Sequence, residues 1–86
     1  MFKVQLSREA QRYFQHCDKA AAKKLRRCFE SLERNPRAGN NVKALKGHFQ
    51  GSCRYRLGNL RVVYTINDRE LTVLVVTVAK RSDVYE

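Results

Sequence analysis

Gly58-Asn59 separates two runs of alternating polarity, 52–57 and 60–66, and a two-residue Gly-Asn link between such runs predicts a β-hairpin. Placing the turn fixes the pairing. Leu57 faces Leu60, Arg56 faces Arg61, Tyr55 faces Val62 and Arg54 faces Val63. Because side chains alternate with period 2, Cys53, Tyr55, Leu57, Leu60, Val62 and Tyr64 share one apolar side, and Arg54, Arg56 and Arg61 share the other. Like charges directly opposite each other destabilise a sheet, so Arg56 across from Arg61 is frustrated until a polyanion lies over that side. The plainer alternative is a solvated basic face.

The distribution of charge supports the first alternative. The 86 residues carry a formal net charge of +10, with 18 Lys and Arg against 8 Asp and Glu. No carboxylate falls between Glu33 and Asp68, whereas Arg34, Arg37, Lys43, Lys46, Arg54, Arg56 and Arg61 all do. Positive potential therefore collects on the central loop and hairpin, which suits nucleic acid or another acidic partner better than a small neutral substrate. The length suffices for one modest core, so residues 1–86 are read as a single domain.

Three cysteines, Cys17, Cys28 and Cys53, show neither a CxxC pair nor metal-ligand spacing. They read as small buried hydrophobes, and no metal or cofactor is expected. An odd thiol count without a signal-peptide pattern points to a reducing cytoplasm. The longest apolar stretch, 71–79, is too short to span a membrane.

Along the chain, Phe2, Val4 and Leu6 alternate with Lys3 and Gln5, predicting a short opening strand. Ser7 caps a helix whose Ala10, Tyr13, Phe14 and Cys17 recur at helical spacing. Asp18 caps a second, with Ala21, Leu25, Cys28, Phe29 and Leu32 inward and Lys23, Lys24, Arg26 and Arg27 outward as a solvated face. Asn35-Pro36 ends it. A loop spans 37–51, the hairpin follows, and the near-continuous apolar run 71–78 predicts a central strand buried on both faces. The predicted class is α+β, in the order β-α-α-β-β-β. Two helices cover the apolar side of a four-stranded, mostly antiparallel sheet and leave the arginines as the floor of an open groove.

The groove offers no Ser-His-Asp set and no carboxylate pair to hold magnesium. What remains is phosphate chemistry by cations and hydrogen bonds. RNA supplies its own nucleophile, the 2′-OH, so a protein need only align it and stabilise the charge gathering on phosphorus. Arginine forks match phosphate oxygens but stay protonated and make poor bases. Lys46 becomes a candidate base if neighbouring arginines depress its pKa by like-charge repulsion. Arg81 or Lys80 would neutralise the departing 5′-oxygen. Tyr85 either stacks on an unpaired base or folds onto the sheet edge. His48 is a further acid–base candidate, with a plain loop histidine as the alternative. Lys43, Lys80, Arg37 and His48 complete the expected RNA-contacting set.

The ordered set Lys43-x-Leu45-x-Gly47, Arg54-x-Arg56-x5-Arg61-x2-Tyr64, Lys80-Arg81 and Asp83-Val84-Tyr85 resembles the RelE/ParE superfamily of bacterial toxins over essentially the whole chain. It looks most similar to the RelE branch, which implies a ribosome-dependent endoribonuclease. Such an enzyme cuts messenger RNA in the A site by 2′-OH attack, leaving a cyclic phosphate and a 5′-hydroxyl. The resemblance implies catalytic roles for Lys46, Arg54, Arg56, Arg61, Arg81 and Tyr85. Arg61 would stabilise charge, Arg81 would serve the leaving group and Tyr85 would orient the substrate. Lysine is common in that branch where this chain has Arg54 and Arg56, which shifts the candidate base to Lys46 or to no protein group. The Glu-His pair of other branches has no counterpart here, Lys80 standing in the histidine's place. The resemblance also implies an acidic, RelB-like antitoxin. Two other readings stay open: a ParE-like toxin that binds DNA gyrase without catalysis, and a basic RNA- or ribosome-binding module.

Overall fold

The computed structural model describes residues 1–47 and 50–80. Seven elements follow one another: β1 (Lys3–Leu6), α1 (Arg8–His16), α2 (Lys19–Arg34), β2 (Val42–Ala44), β3 (Ser52–Leu57), β4 (Leu60–Asn67) and β5 (Thr72–Lys80). Both helices start where their caps predict. Ser7 Oγ accepts from Ala10 N–H at 3.0 Å, and an Asp18 carboxylate oxygen accepts from Ala21 N–H at 2.7 Å. Each satisfies one of the orphan donors of a first helical turn.

The sheet has five strands in the order β1-β5-β4-β3-β2, with β1 parallel to β5 and every other pair antiparallel. This keeps the α+β class and corrects the expected count of four. The added strand is β2, three residues inside what the sequence presents as a loop. Its pairing places Lys43 opposite Arg54 and Ala44 opposite Cys53.

Ala10 of α1 and Leu25, Cys28 and Leu32 of α2 pack against Val62, Tyr64, Val73, Val75 and Val78 to form the core. Each fully buried aliphatic side chain contributes about 1.5–3 kcal/mol relative to exposure. Phe14 and Phe29 meet edge to face, with ring centroids 5.6 Å apart, and the Arg26 guanidinium lies 5.7 Å from the Phe14 centroid. Arg26 thus belongs to the margin of the core rather than to a purely solvated helix face. The Tyr64 hydroxyl donates to Pro36 O at 2.6 Å, tying the end of α2 to the middle of β4.

The strand buried on both faces is β4, whose residues 60–64 are all buried. In β5, Leu74 and Val76 are 41% and 38% exposed, so the apolar run covers the core with one face only. Between Val63 and Tyr64 the β4–β5 register shifts: Val63 faces Thr77, Tyr64 faces Val75, and Val76 is the extra residue of a bulge. Among the described residues, no helix is long and apolar enough to cross a membrane.

Candidate functional site

The β3–β4 register is the one the turn dictates: Leu57 opposite Leu60, Arg56 opposite Arg61, Tyr55 opposite Val62 and Arg54 opposite Val63. Gly58 has φ +63, and Asn59 is not among the positive-φ residues. That pair of signs fits a II′ hairpin turn, which needs glycine at its first central position. The helix-covered side takes Val62 and Tyr64 into the core. Arg54, Arg56 and Arg61 lie together on the opposite side.

Two rows cross the sheet there. One runs Lys43–Arg54–Val63–Thr77 and the other Arg56–Arg61–Ala79. Neither row contains a carboxylate. The acids Asp68 and Glu70 sit instead at the β4–β5 turn, the far end of the sheet, around a hollow also lined by Gln5, Thr65 and Leu74. Positive potential is therefore polarised toward the Gly58 end.

The expected open arginine floor needs correcting. Arg56 is exposed, but Arg54 and Arg61 are only 4% and 3% exposed. Arg61 folds its Nη1 back onto Gly58 O and Leu60 O, at 3.0 Å each. Those two carbonyl dipoles offset part of the repulsion from Arg56. Arg56 is thus the most accessible of the three guanidinium groups, and Arg54 and Arg61 are largely shielded from water.

Lys43 is exposed beside Arg54, and Lys46 is exposed two residues beyond β2. Two other expected contacts stand elsewhere. Arg37 forms a two-pronged pair with Asp68, both contacts 2.8 Å, at the opposite end of β4. The Arg37 hydrogen bond holds the Asp68 carboxyl below its ordinary range, and the same bond raises the Arg37 pKa. Lys80 pairs in register with Leu60 and so projects from the helix-covered side, not into the arginine groove. Arg81, Tyr85 and His48 lie outside the described residues.

The cysteines are free thiols, and burial pushes Cys28 up to about 12. Burial likewise raises the Tyr64 phenol and the Cys53 thiol, the latter opposed by the nearby Arg37 charge. Among the described residues, no group of three or more His, Cys, Asp or Glu side chains converges as metal ligands would.

Sequence reasoning missed Lys24. A Cβ added to Gly58 would lie 3.5 Å from Lys24 Nζ, so this lysine of α2 reaches the hairpin tip. No local pattern announces that approach, because it depends on where α2 crosses the sheet.

The family model described as the ParE toxin of the type II toxin–antitoxin system, parDE, matches residues 4–85. Among solved structures, the RelE–RelB complex of the archaeon Pyrococcus horikoshii is similar with a TM-score of 0.82 at 23% identity, covering 96% of this chain and 98% of that one. The RelBE2 toxin–antitoxin complex of Mycobacterium tuberculosis gives a TM-score of 0.81 at 23% identity, covering 93% and 98%. The YoeB–YefM complex of Staphylococcus aureus gives 0.72 at 26% identity, covering 90% and 93%. No curated protein matches the sequence itself.

Proposed function

Because the chain belongs to the ParE toxin family of type II toxin–antitoxin systems, we propose that this toxin acts by cutting messenger RNA on the ribosome. The observation that carries the reading is the pair of rows that sets Arg56 against Arg61 and Lys43 against Arg54 on the face opposite the helices. A gyrase-binding surface has no requirement for that juxtaposition. A phosphodiester does, because its transition state gathers negative charge on phosphorus-bound oxygens.

In the proposed reaction the 2′-oxygen bonds to the adjacent phosphorus and the bond from phosphorus to the 5′-oxygen breaks. The 2′-OH proton passes to Lys46 in its neutral form or to water. The departing 5′-oxygen takes a proton from Arg81 or from solvent, leaving a cyclic phosphate and a 5′-hydroxyl. Arg56 grips a non-bridging oxygen, Arg61 and Arg54 stabilise the charge, and Tyr85 orients the base. The roles of Arg81 and Tyr85 rest on the resemblance alone. The set is made of cations and hydrogen-bond donors, so the cut is proposed to proceed without a metal ligand set. The partner in the cell is proposed to be an acidic antitoxin, in keeping with the RelB and YefM partners of the similar complexes.

The ParE family description favours a second reading, a gyrase inhibitor without catalysis. Pulse-labelling of protein and DNA synthesis after induction of the chain without its antitoxin separates the two. The mRNA-cutting reading expects protein synthesis to stop first, and expects Arg61→Lys to blunt that arrest by losing the planar fork while keeping the charge. Replication stopping first would overturn it.

A further inference from the structure

Opposite the arginine rows, and wrapping the same hairpin tip, lies a cleft of about 480 Å³ between the α1–α2 junction and the β3–β4 turn. Tyr13, His16, Asp18, Lys24, Asn59 and Lys80 contribute to its walls. The two lysines are exposed, and the ion pair found among the described residues, Arg37–Asp68, involves neither of them. The carboxylate of the cleft, Asp18, is engaged by Ala21 N–H at 2.7 Å as the cap of α2. Lys24 Nζ approaches Gly58 from this side, while Arg61 Nη1 donates to Gly58 O at 3.0 Å from the other. Cations of both faces thus converge on one turn that has no side chain at its first central residue. Absence of a Cβ lets a ligand backbone pass close over such a point.

We propose that this cleft is a second phosphate-binding subsite. Single-stranded RNA leaving the arginine face crosses the Gly58–Asn59 tip and sets its next phosphates on Lys24 and Lys80. The inference rests on the RNA reading of the arginine face and extends it to the helix-covered side. It also gives Lys80 a task despite its facing away from Arg56. A chain with a regularly repeated negative charge suits this path, since cations stand on both sides of the turn.

The test is anisotropy of labelled 2′-O-methyl RNA, which cannot be cut by its own hydroxyl, measured over a series of salt concentrations. One oligonucleotide is short enough to fit on the arginine face and one is long enough to pass the tip. Lys24→Ala/Lys80→Ala should weaken the long RNA several-fold and reduce its log–log salt slope by about 1.4, as expected for two lost single-strand phosphate contacts. The short RNA should be unaffected, and Arg56→Ala should weaken both. Lys23→Ala/Arg27→Ala, which removes equal charge from α2 outside the cleft lining, should leave the slope in place. Unchanged long-RNA binding in the lysine variant, with Arg56→Ala still harmful, overturns the cleft alone. An equal loss in the Lys23/Arg27 control overturns it too, by reducing the effect to net charge. If Arg56→Ala changes neither length, the arginine-face reading fails and the cleft falls with it.

Discussion

Arg56 is held opposite a like charge, exposed, with no role in the core. Removing it should therefore separate stability from function. Arg56→Ala is expected to raise stability by about 0.5 kcal/mol, by relief of a directly opposed like-charge pair. That corresponds to a melting temperature about 2–4 °C higher in a domain of this size. The same variant should lose most of its message cleavage. Thermal melts and a cleavage assay on one preparation check both halves, and a variant that is both less stable and fully active would contradict them. The juxtaposition itself was legible, because a two-residue turn leaves one register and period 2 then assigns every face. Which guanidinium is open was not. Arg61 is buried with its Nη1 turned back onto two carbonyls, and Arg37 is withdrawn because a carboxylate thirty-one residues along the chain meets it. The first is made to near neighbours but leaves no mark in the polarity pattern, and the second spans much of the chain.

Among the elements, the hairpin tip and the β5 bulge decide what faces what. At Gly58, φ +63 lies in the left-handed region, where an alanine costs about 1–2 kcal/mol. The added methyl itself would meet Lys24 Nζ at an ordinary 3.5 Å, so backbone strain is the whole effect. Gly58→Ala should lower the melting temperature by about 4–16 °C, while Asn59→Ala, at the neighbouring position without a positive φ, should lose less. Differential scanning calorimetry of the two variants is the check, and equal losses would refute this reading of the turn. The bulge has the larger consequence. Strict alternation through Val76 from Val75 would carry Lys80 to the arginine side; because Val76 is bulged out of the alternation, Lys80 stands opposite Leu60 on the helix side. A uniform apolar run hides such an insertion, which is why 71–78 read as a strand buried on both faces. The strand β2 escaped notice because three residues are too few to show a period. Helix starts were legible from Ser7 and Asp18 because a cap is a local chemical event.

For the whole molecule, two buried acids tie stability to pH. Cys28 is pushed up to about 12 and the Tyr64 phenol is raised as well, each by burial that disfavours the charged form. Unfolded, they ionise near their ordinary values of about 8.5 and about 10. Below those values, folded and unfolded chains hold the same protons and stability is unaffected by these groups. Above them, the unfolded chain sheds protons that the fold retains, so stability falls as pH rises, by about 1.4 kcal/mol per pH unit for each group. The comparison with Cys28→Ala isolates the thiol: urea midpoints of the variant should decline less steeply above about pH 9. Parallel declines would show that the thiol is not protected. The sheet carries Arg56 and Arg61 at one end and Asp68 and Glu70 at the other, and the proposed reading uses that polarity to orient a bound RNA. The most direct measurement is the chemistry of the ends that the antitoxin-free protein leaves on a message held by translating ribosomes. A 2′,3′-cyclic phosphate with a 5′-hydroxyl, lost in Arg61→Lys, is the predicted result; an intact message, or a 3′-hydroxyl with a 5′-phosphate, would contradict it.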